Sequence, residues 1–207
     1  MVFNAFQENT FLVWDETREC VIIDPGCEGS AEQNELTEFI NNNDLKLVGH
    51  LYTHCHIDHI LGNAYVFETY GLRPVMHRDS LPVFHSAGDH GKMFGIEVDG
   101  LIEPETFLKE GDEVKFGNHA LEVLHTPGHV NGHICFANRD EKFVIVGDVL
   151  FRDSIGRTDL PTGDFDLLSH NIQNKLYTLG RDFTVHPGHG PSTTIGYEML
   201  NNPFVKG

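Results

Sequence analysis

The segment that most constrains this chain is Thr53-His54-Cys55-His56-Ile57-Asp58-His59. It follows directly on an apolar run, residues 47–52, that reads as a β-strand. In extended backbone, residues two apart face the same way. His54 and His56 can therefore grip one ion together, while Cys55 and Ile57 face the other side. Asp58 and His59 fall where the chain turns into a helix beginning near Ile60, and can face a second ion. Four donors within six residues form a compact chelate, yet four donors cannot saturate two ions. The remaining ligands must come from elsewhere in the chain. His129 lies in Thr126-Pro127-Gly128-His129, just after a strand at 120–125. Asp148 lies in Gly147-Asp148, just after the apolar run 143–146. His189 lies in Pro187-Gly188-His189-Gly190, just after a strand at 183–186. Each follows a strand and adjoins a Gly that lets backbone approach closely. Several strands are thus expected to end at one common site. Imidazole and carboxylate donors suit Zn²⁺, Fe²⁺ or Mn²⁺, and spacing does not choose among them.

The rest of the chain supplies a framework. Residues 10–14 and 20–24 flank Asp15-Glu16-Thr17-Arg18 and read as a hairpin, stopped by Pro25-Gly26. Ser30 reads as an N-cap, with Gln33 at the capping-box position, for a helix to about Asn42 whose apolar stripe is Leu36, Phe39 and Ile40. A helix is expected over 60–70, closed by Gly71, and a strand over 73–77. Residues 85–99, rich in Gly, His and Asp, read as a loop or short helices over a site, with Met93 and Phe94 either lining its mouth or anchoring the loop. Strands are expected at 113–116, 120–125, 133–137, 143–146 and 183–186, with helices at 164–179 and 193–200. Strands and helices alternate in both halves with hairpins among them. That predicts an α/β fold with mixed sheets covered by helices, in a single domain over 1–207.

Of the other histidines, His50, His77, His85, His90, His119 and His170 read as surface or loop residues. His125, His133 and His186 read as donors that orient ligands. Asp24, at a strand end before Pro25-Gly26, is equally a turn former or an acceptor behind a ligand.

The ordered set His54-x-His56-x-Asp58-His59, His129, Asp148 and His189 resembles the ligand set of the metallo-β-lactamase superfamily. The resemblance spans essentially the whole chain. It implies an αβ/βα sandwich of two mixed sheets flanked by helices, with the site at one edge of the sheets. It further implies that His54, His56 and His129 hold a first metal, that Asp58, His59 and His189 hold a second, and that Asp148 bridges both. Ile23-Asp24-Pro25-Gly26, Gly147-Asp148-Val149-Leu150-Phe151, Ile155-Gly156-Arg157-Thr158-Asp159 and Pro187-Gly188-His189-Gly190-Pro191 are similar to the glyoxalase II-like branch, most of all its short bacterial hydrolases. Those proteins resemble hydroxyacylglutathione hydrolase, which splits S-D-lactoylglutathione into lactate and glutathione. Longer members carry a helical C-terminal domain with basic residues for glutathione. With 18 residues after His189, no such domain is expected here. The tyrosine common after the last ligand motif is replaced by Gly190-Pro191. Arg157 stands near the position where those enzymes use a Lys for the glutathione moiety. It reads as a carboxylate-binding residue or as half of a surface ion pair.

The implied chemistry is hydrolysis of a small-molecule thioester by water activated between two divalent ions, most simply Zn, with Fe or Mn as alternatives. Asp58 doubles as ligand and as acceptor for the nucleophile. No G-x-S-x-G elbow suggests an acyl-enzyme. Two other classes stay open: a persulfide dioxygenase using one iron at His54, His129 and Asp148, and a non-enzymatic metal-binding module. Charge bears on partners. The 207 residues carry 14 Lys and Arg against 31 Asp and Glu, a formal −17. This disfavours nucleic acid and anionic membrane surfaces, which need basic residues in number. The first ten residues lack a basic stretch and an apolar run, so they do not read as a signal peptide. The four cysteines form no framework spacing, which suits a reducing cytoplasm.

Overall fold

The computed structural model describes residues 1–98 and 100–207. Asp99, the last residue of the 85–99 stretch, lies outside the described residues. The chain divides into two compact units. The first comprises residues 1–108 with 115–119, the second 109–114 with 120–207.

In the first unit the expected hairpin forms. Phe11–Trp14 pairs antiparallel with Glu19–Ile23. Lys46–Leu51, Pro74–His77 and Thr106–Leu108 then add in parallel. Cys20, Val21, Ile22 and Ile23 are all fully buried, as a run of consecutive apolar residues requires of a strand covered on both faces. On one side Cys20 and Ile22 pack with Leu36 and Ile40 of the Gly29–Asn42 helix and with Val66. Another cluster joins Tyr52, Cys55, Ile60 and Met76 to Phe84 and Ala87.

The start of the Gly29–Asn42 helix differs from expectation. Its N-cap is Glu28, with Ser30 inside the helix and no side-chain cap. Glu32 does the capping work instead, its Oε2 accepting from the Glu28 N–H at 2.7 Å and its Oε1 from the Asn4 N–H at 2.8 Å. The 85–99 stretch also differs. Leu81–Phe94 is one continuous 14-residue helix. Phe84, Ala87 and Gly91 form its buried stripe, and two of those three are too small to announce a core face. Met93 and Phe94 are exposed on its last turn.

In the second unit the strand order is Thr193–Thr194, Thr184–Pro187, Phe143–Gly147, Ile134–Asn138, His119–His125 and Glu113–Phe116. Phe143–Gly147 runs parallel to Thr184–Pro187 and antiparallel to Ile134–Asn138, so this sheet is mixed as well. Asp164 caps the Phe165–Asn171 helix by accepting from Leu167 N–H at 2.9 Å. The expected 164–179 helix then changes pitch, continuing as a π-turn over Ile172–Leu176. Leu168, Ile172 and Leu176 pack against Cys135, Val144, Val146 and Val185. Among the described residues, no helix is long and apolar enough to cross a membrane.

Candidate metal centre

In the first unit the site grows from the end of the Lys46–Leu51 strand. The chain stays extended through His56, then makes one helical turn, Ile57–Ile60. The side-chain alternation holds as expected. His54 Nε2 and His56 Nδ1 lie 3.2 Å apart, while Cys55 is buried behind them against Met76. Burial pushes the Cys55 thiol well above its usual pKa, which keeps it a packing group.

Asp24 organises this segment. It ends the Glu19–Ile23 strand with φ of 51° and is fully buried. Its carboxylate accepts from the Thr53 N–H at 2.7 Å, from the Thr53 hydroxyl at 2.6 Å and from His59 Nδ1 at 3.1 Å. It is thus both turn former and acceptor behind a ligand. Because Thr53 donates to Asp24, its Oγ1 can accept from His54 Nδ1, 3.0 Å away. Both rings then carry their proton on Nδ1 and present the Nε2 lone pair. His59 Nε2 lies 3.6 Å from Asp58 Oδ2.

The second unit sets three donors by other means. His129 Nδ1 donates to the Arg157 carbonyl at 2.7 Å, so its Nε2 is likewise the presented atom, 3.8 Å from Asp148 Oδ2. The Asp148 N–H donates to His133 Nε2 at 3.1 Å. His189 Nε2 stands 3.7 Å from the same Asp148 oxygen. A Cβ on Gly156 would sit 1.9 Å from the Asp148 carbonyl oxygen and 3.3 Å from His129 Cβ, so a glycine is needed where this loop lies against both donors.

These separations fit metal donors. Two nitrogens each about 2.05 Å from a tetrahedral Zn²⁺ stand about 3.3 Å apart, close to the His54–His56 spacing of 3.2 Å. Asp58, His129 and Asp148 are mostly buried, and His189 is partly exposed. The seven expected donors therefore fall into two sets, four brought together within the first unit and three within the second.

Of the histidines expected as orienting donors, His133 instead accepts, taking the Asp148 N–H on Nε2. His186 Nδ1 pairs with Ser192 Oγ, and the His125 backbone bonds Glu110 and Lys175. His50 departs from its surface reading. It is fully buried, with Nδ1 at 3.2 Å from the Leu72 carbonyl and Nε2 at 2.9 Å from the Tyr52 hydroxyl. Burial lowers its pKa to about 4. The Arg157 guanidinium is exposed and held by Asp159 through two 2.8 Å bonds. That pair holds the Asp159 carboxyl down at about 2.

Sequence reasoning missed Asn4 and Glu8. Asn4 Nδ2 donates to the Asp58 carbonyl at 2.9 Å. Glu8 is fully buried, its Oε1 3.9 Å from His59 Nδ1, and burial above all raises its carboxyl well beyond the usual range. The available signal was the alternation of Glu8 and Thr10, two polar residues facing inward at the start of an apolar hairpin.

Residues 3–189 match the model of the "Metallo-beta-lactamase superfamily". The chain is 38% identical over 204 residues to hydroxyacylglutathione hydrolase GloC of Haemophilus influenzae, covering 97% of this chain and 94% of that protein. The solved structure of TTHA1623 in a di-iron-bound form superposes with a TM-score of 0.89 at 35% identity, over 99% of this chain and 98% of that one. That of the B3 metallo-β-lactamase BLEG-1 superposes with 0.86 at 32% identity, over 100% and 98%. With two mixed sheets flanked by helices and this donor set, the chain belongs to the metallo-beta-lactamase superfamily, as a metal-dependent hydrolase.

Proposed function

We propose that the chain hydrolyses small-molecule thioesters, of which S-D-lactoylglutathione is the type. The observation that carries this is the shared orientation of three imidazoles. His54, His59 and His129 each spend Nδ1 on a protein oxygen and present Nε2, an arrangement made to receive cations. In this reading His54, His56 and His129 hold one divalent ion, Asp58, His59 and His189 a second, and Asp148 bridges them. Zinc fits the imidazole-rich set, and the di-iron form of TTHA1623 makes iron the first alternative. The naming of the Haemophilus relative supports the thioester.

Bound there, the two ions would supply a hydroxide near neutral pH and polarise the thioester carbonyl. The Asp58 carboxylate accepts the hydrogen bond of the attacking water and so aims it. A thiolate leaves without a strong general acid, so the residues have no proton to deliver at that step. Arg157 is assigned to a substrate carboxylate, which replaces Asp159 in the guanidinium fork. The partner is a small molecule rather than nucleic acid or membrane. Four buried free thiols fit a cytoplasmic setting.

The test pairs metal analysis with thioester turnover on the wild type and His54→Ala. Two ions per chain, turnover of S-D-lactoylglutathione, and loss of both in the variant are expected. Turnover that survives strong chelation, in protein holding well under one ion per chain, would overturn the reading. Oxygen uptake with glutathione persulfide would replace it with the dioxygenase alternative.

A further inference from the structure

The turn at Asn4 is tied to the ligand segment more closely than a chain terminus needs. Asn4 takes a positive φ of 52°, a conformation Asn tolerates better than most residues. Every polar group of its side chain is used. Nδ2 donates to the Gly26 carbonyl at 3.0 Å and to the Asp58 carbonyl at 2.9 Å. Oδ1 accepts from the Phe6 N–H at 3.0 Å. Its backbone N–H is held by Glu32. The Asp58 carbonyl belongs to the peptide that joins Asp58 to His59. Fixing that peptide fixes the directions in which two neighbouring donors leave the backbone.

The surroundings admit no slack. A Cβ on Gly26 would lie 2.3 Å from Glu8 Oε2, 2.6 Å from the Asp58 carbonyl oxygen and 2.8 Å from Asn4 Nδ2. Thr10 Oγ1 lies 2.9 Å from Glu8 Oε2, 2.8 Å from the Asp24 carbonyl and 2.9 Å from the Gly26 N–H. His54 and His56 stand outside this brace, since their orientation comes from the strand and from Thr53.

We propose that Asn4 is a positioning residue for Asp58 and His59, so that the N-terminal turn decides whether the chain holds one metal ion or two. This rests on the two-ion reading above. Asn4→Asp keeps size, tolerance of positive φ and the acceptor for Phe6, but loses both donors. Asn4→Gly keeps the backbone and loses the whole side chain. Leu36→Ala, a core change in the same unit that removes none of these hydrogen bonds, controls for general loss of stability.

Metal-free protein is titrated with Co²⁺, following absorbance and bound metal per chain. The wild type and L36A saturate at two ions. N4D and N4G keep the first ion at wild-type affinity and bind the second about 10–100-fold more weakly, with circular dichroism unchanged. Wild-type binding of two ions by N4D and N4G overturns the proposal. So does loss of the second ion in L36A to the same degree, which would make the effect one of stability alone. A wild type that holds no more than one ion overturns the two-ion reading, and this proposal with it.

Discussion

The two sets of donors are built in opposite ways. In the first unit four of them sit on six consecutive residues, held from behind by the side chains of buried Asp24 and Thr53 and half-buried Asn4. In the second unit three donors sit on three separate strand ends, and the orienting contacts are largely with backbone, the Arg157 carbonyl for His129 and the Asp148 N–H for His133. A contiguous chelate gets its side from the strand's alternation but not its ring orientation, so it needs dedicated acceptors. Donors at separate strand ends are already placed by the sheet and need only a tautomer fixed. The first arrangement concentrates ionic groups in the interior, and the second spends neutral bonds.

The largest expected effect follows from that difference. Asp24→Ala leaves three donors, the Thr53 N–H, the Thr53 hydroxyl and His59 Nδ1–H, without their acceptor, at about 1–3 kcal/mol each. His133→Ala deprives one buried N–H of its acceptor, at about 1–3 kcal/mol. Urea unfolding of the metal-free variants measures both. Equal losses would break the contrast between the two builds.

A second effect, confined to acid, sharpens the contrast. His50 is buried in the first unit with its pKa lowered from 6.5 to about 4. A histidine held neutral in the folded state binds its proton more readily when unfolded. Its contribution is therefore intact above about pH 6.5, falls as pH drops, and levels off near pH 4. The full span is roughly 3 kcal/mol. His50→Gln keeps a donor for Leu72 and an acceptor for Tyr52, and should flatten this part of the stability profile relative to wild type. In the second unit His186 is also lowered by burial, though less deeply buried, and His186→Gln should change the profile less. An acid profile that H50Q leaves unaltered would show that His50 binds its proton as readily in the fold as in the unfolded chain, and would overturn this prediction.

The same contrast explains what could be read from the sequence. The six-residue chelate was legible because period-two alternation is local, and Cys55 does turn away from His54 and His56. His129, Asp148 and His189 were legible because each follows an apolar strand. What was hidden depends on contacts distant in sequence. Asn4 meets Asp58 across 54 positions, and nothing near Asn4 marks it. His50 looked like a surface residue because the Leu72 carbonyl that takes its Nδ1 lies 22 positions away and comes near once parallel strands pair, although Tyr52 is only two positions on. The Leu81–Phe94 helix was hidden because Gly88 and Gly91 read as breakers, although Gly91 lies where a Cβ would meet the Ile96 carbonyl at 2.5 Å.

The smallest effect on stability is expected at Arg157, and there the two roles of one residue separate. Its carbonyl orients His129, a backbone service that any side chain leaves in place. Its guanidinium is exposed and shared with Asp159, and exposed pairs of this kind contribute little to folding. Arg157→Ala should therefore leave the melting temperature and metal content unchanged. If the fork binds a substrate carboxylate, KM for a carboxylate-bearing thioester rises about tenfold, the worth of a charge-assisted hydrogen bond, with kcat held. A thioester without a carboxylate should show no such rise. Equal changes in KM for both substrates would return Arg157 to a surface ion pair, tied to the donors of the second unit through the backbone carbonyl that orients His129.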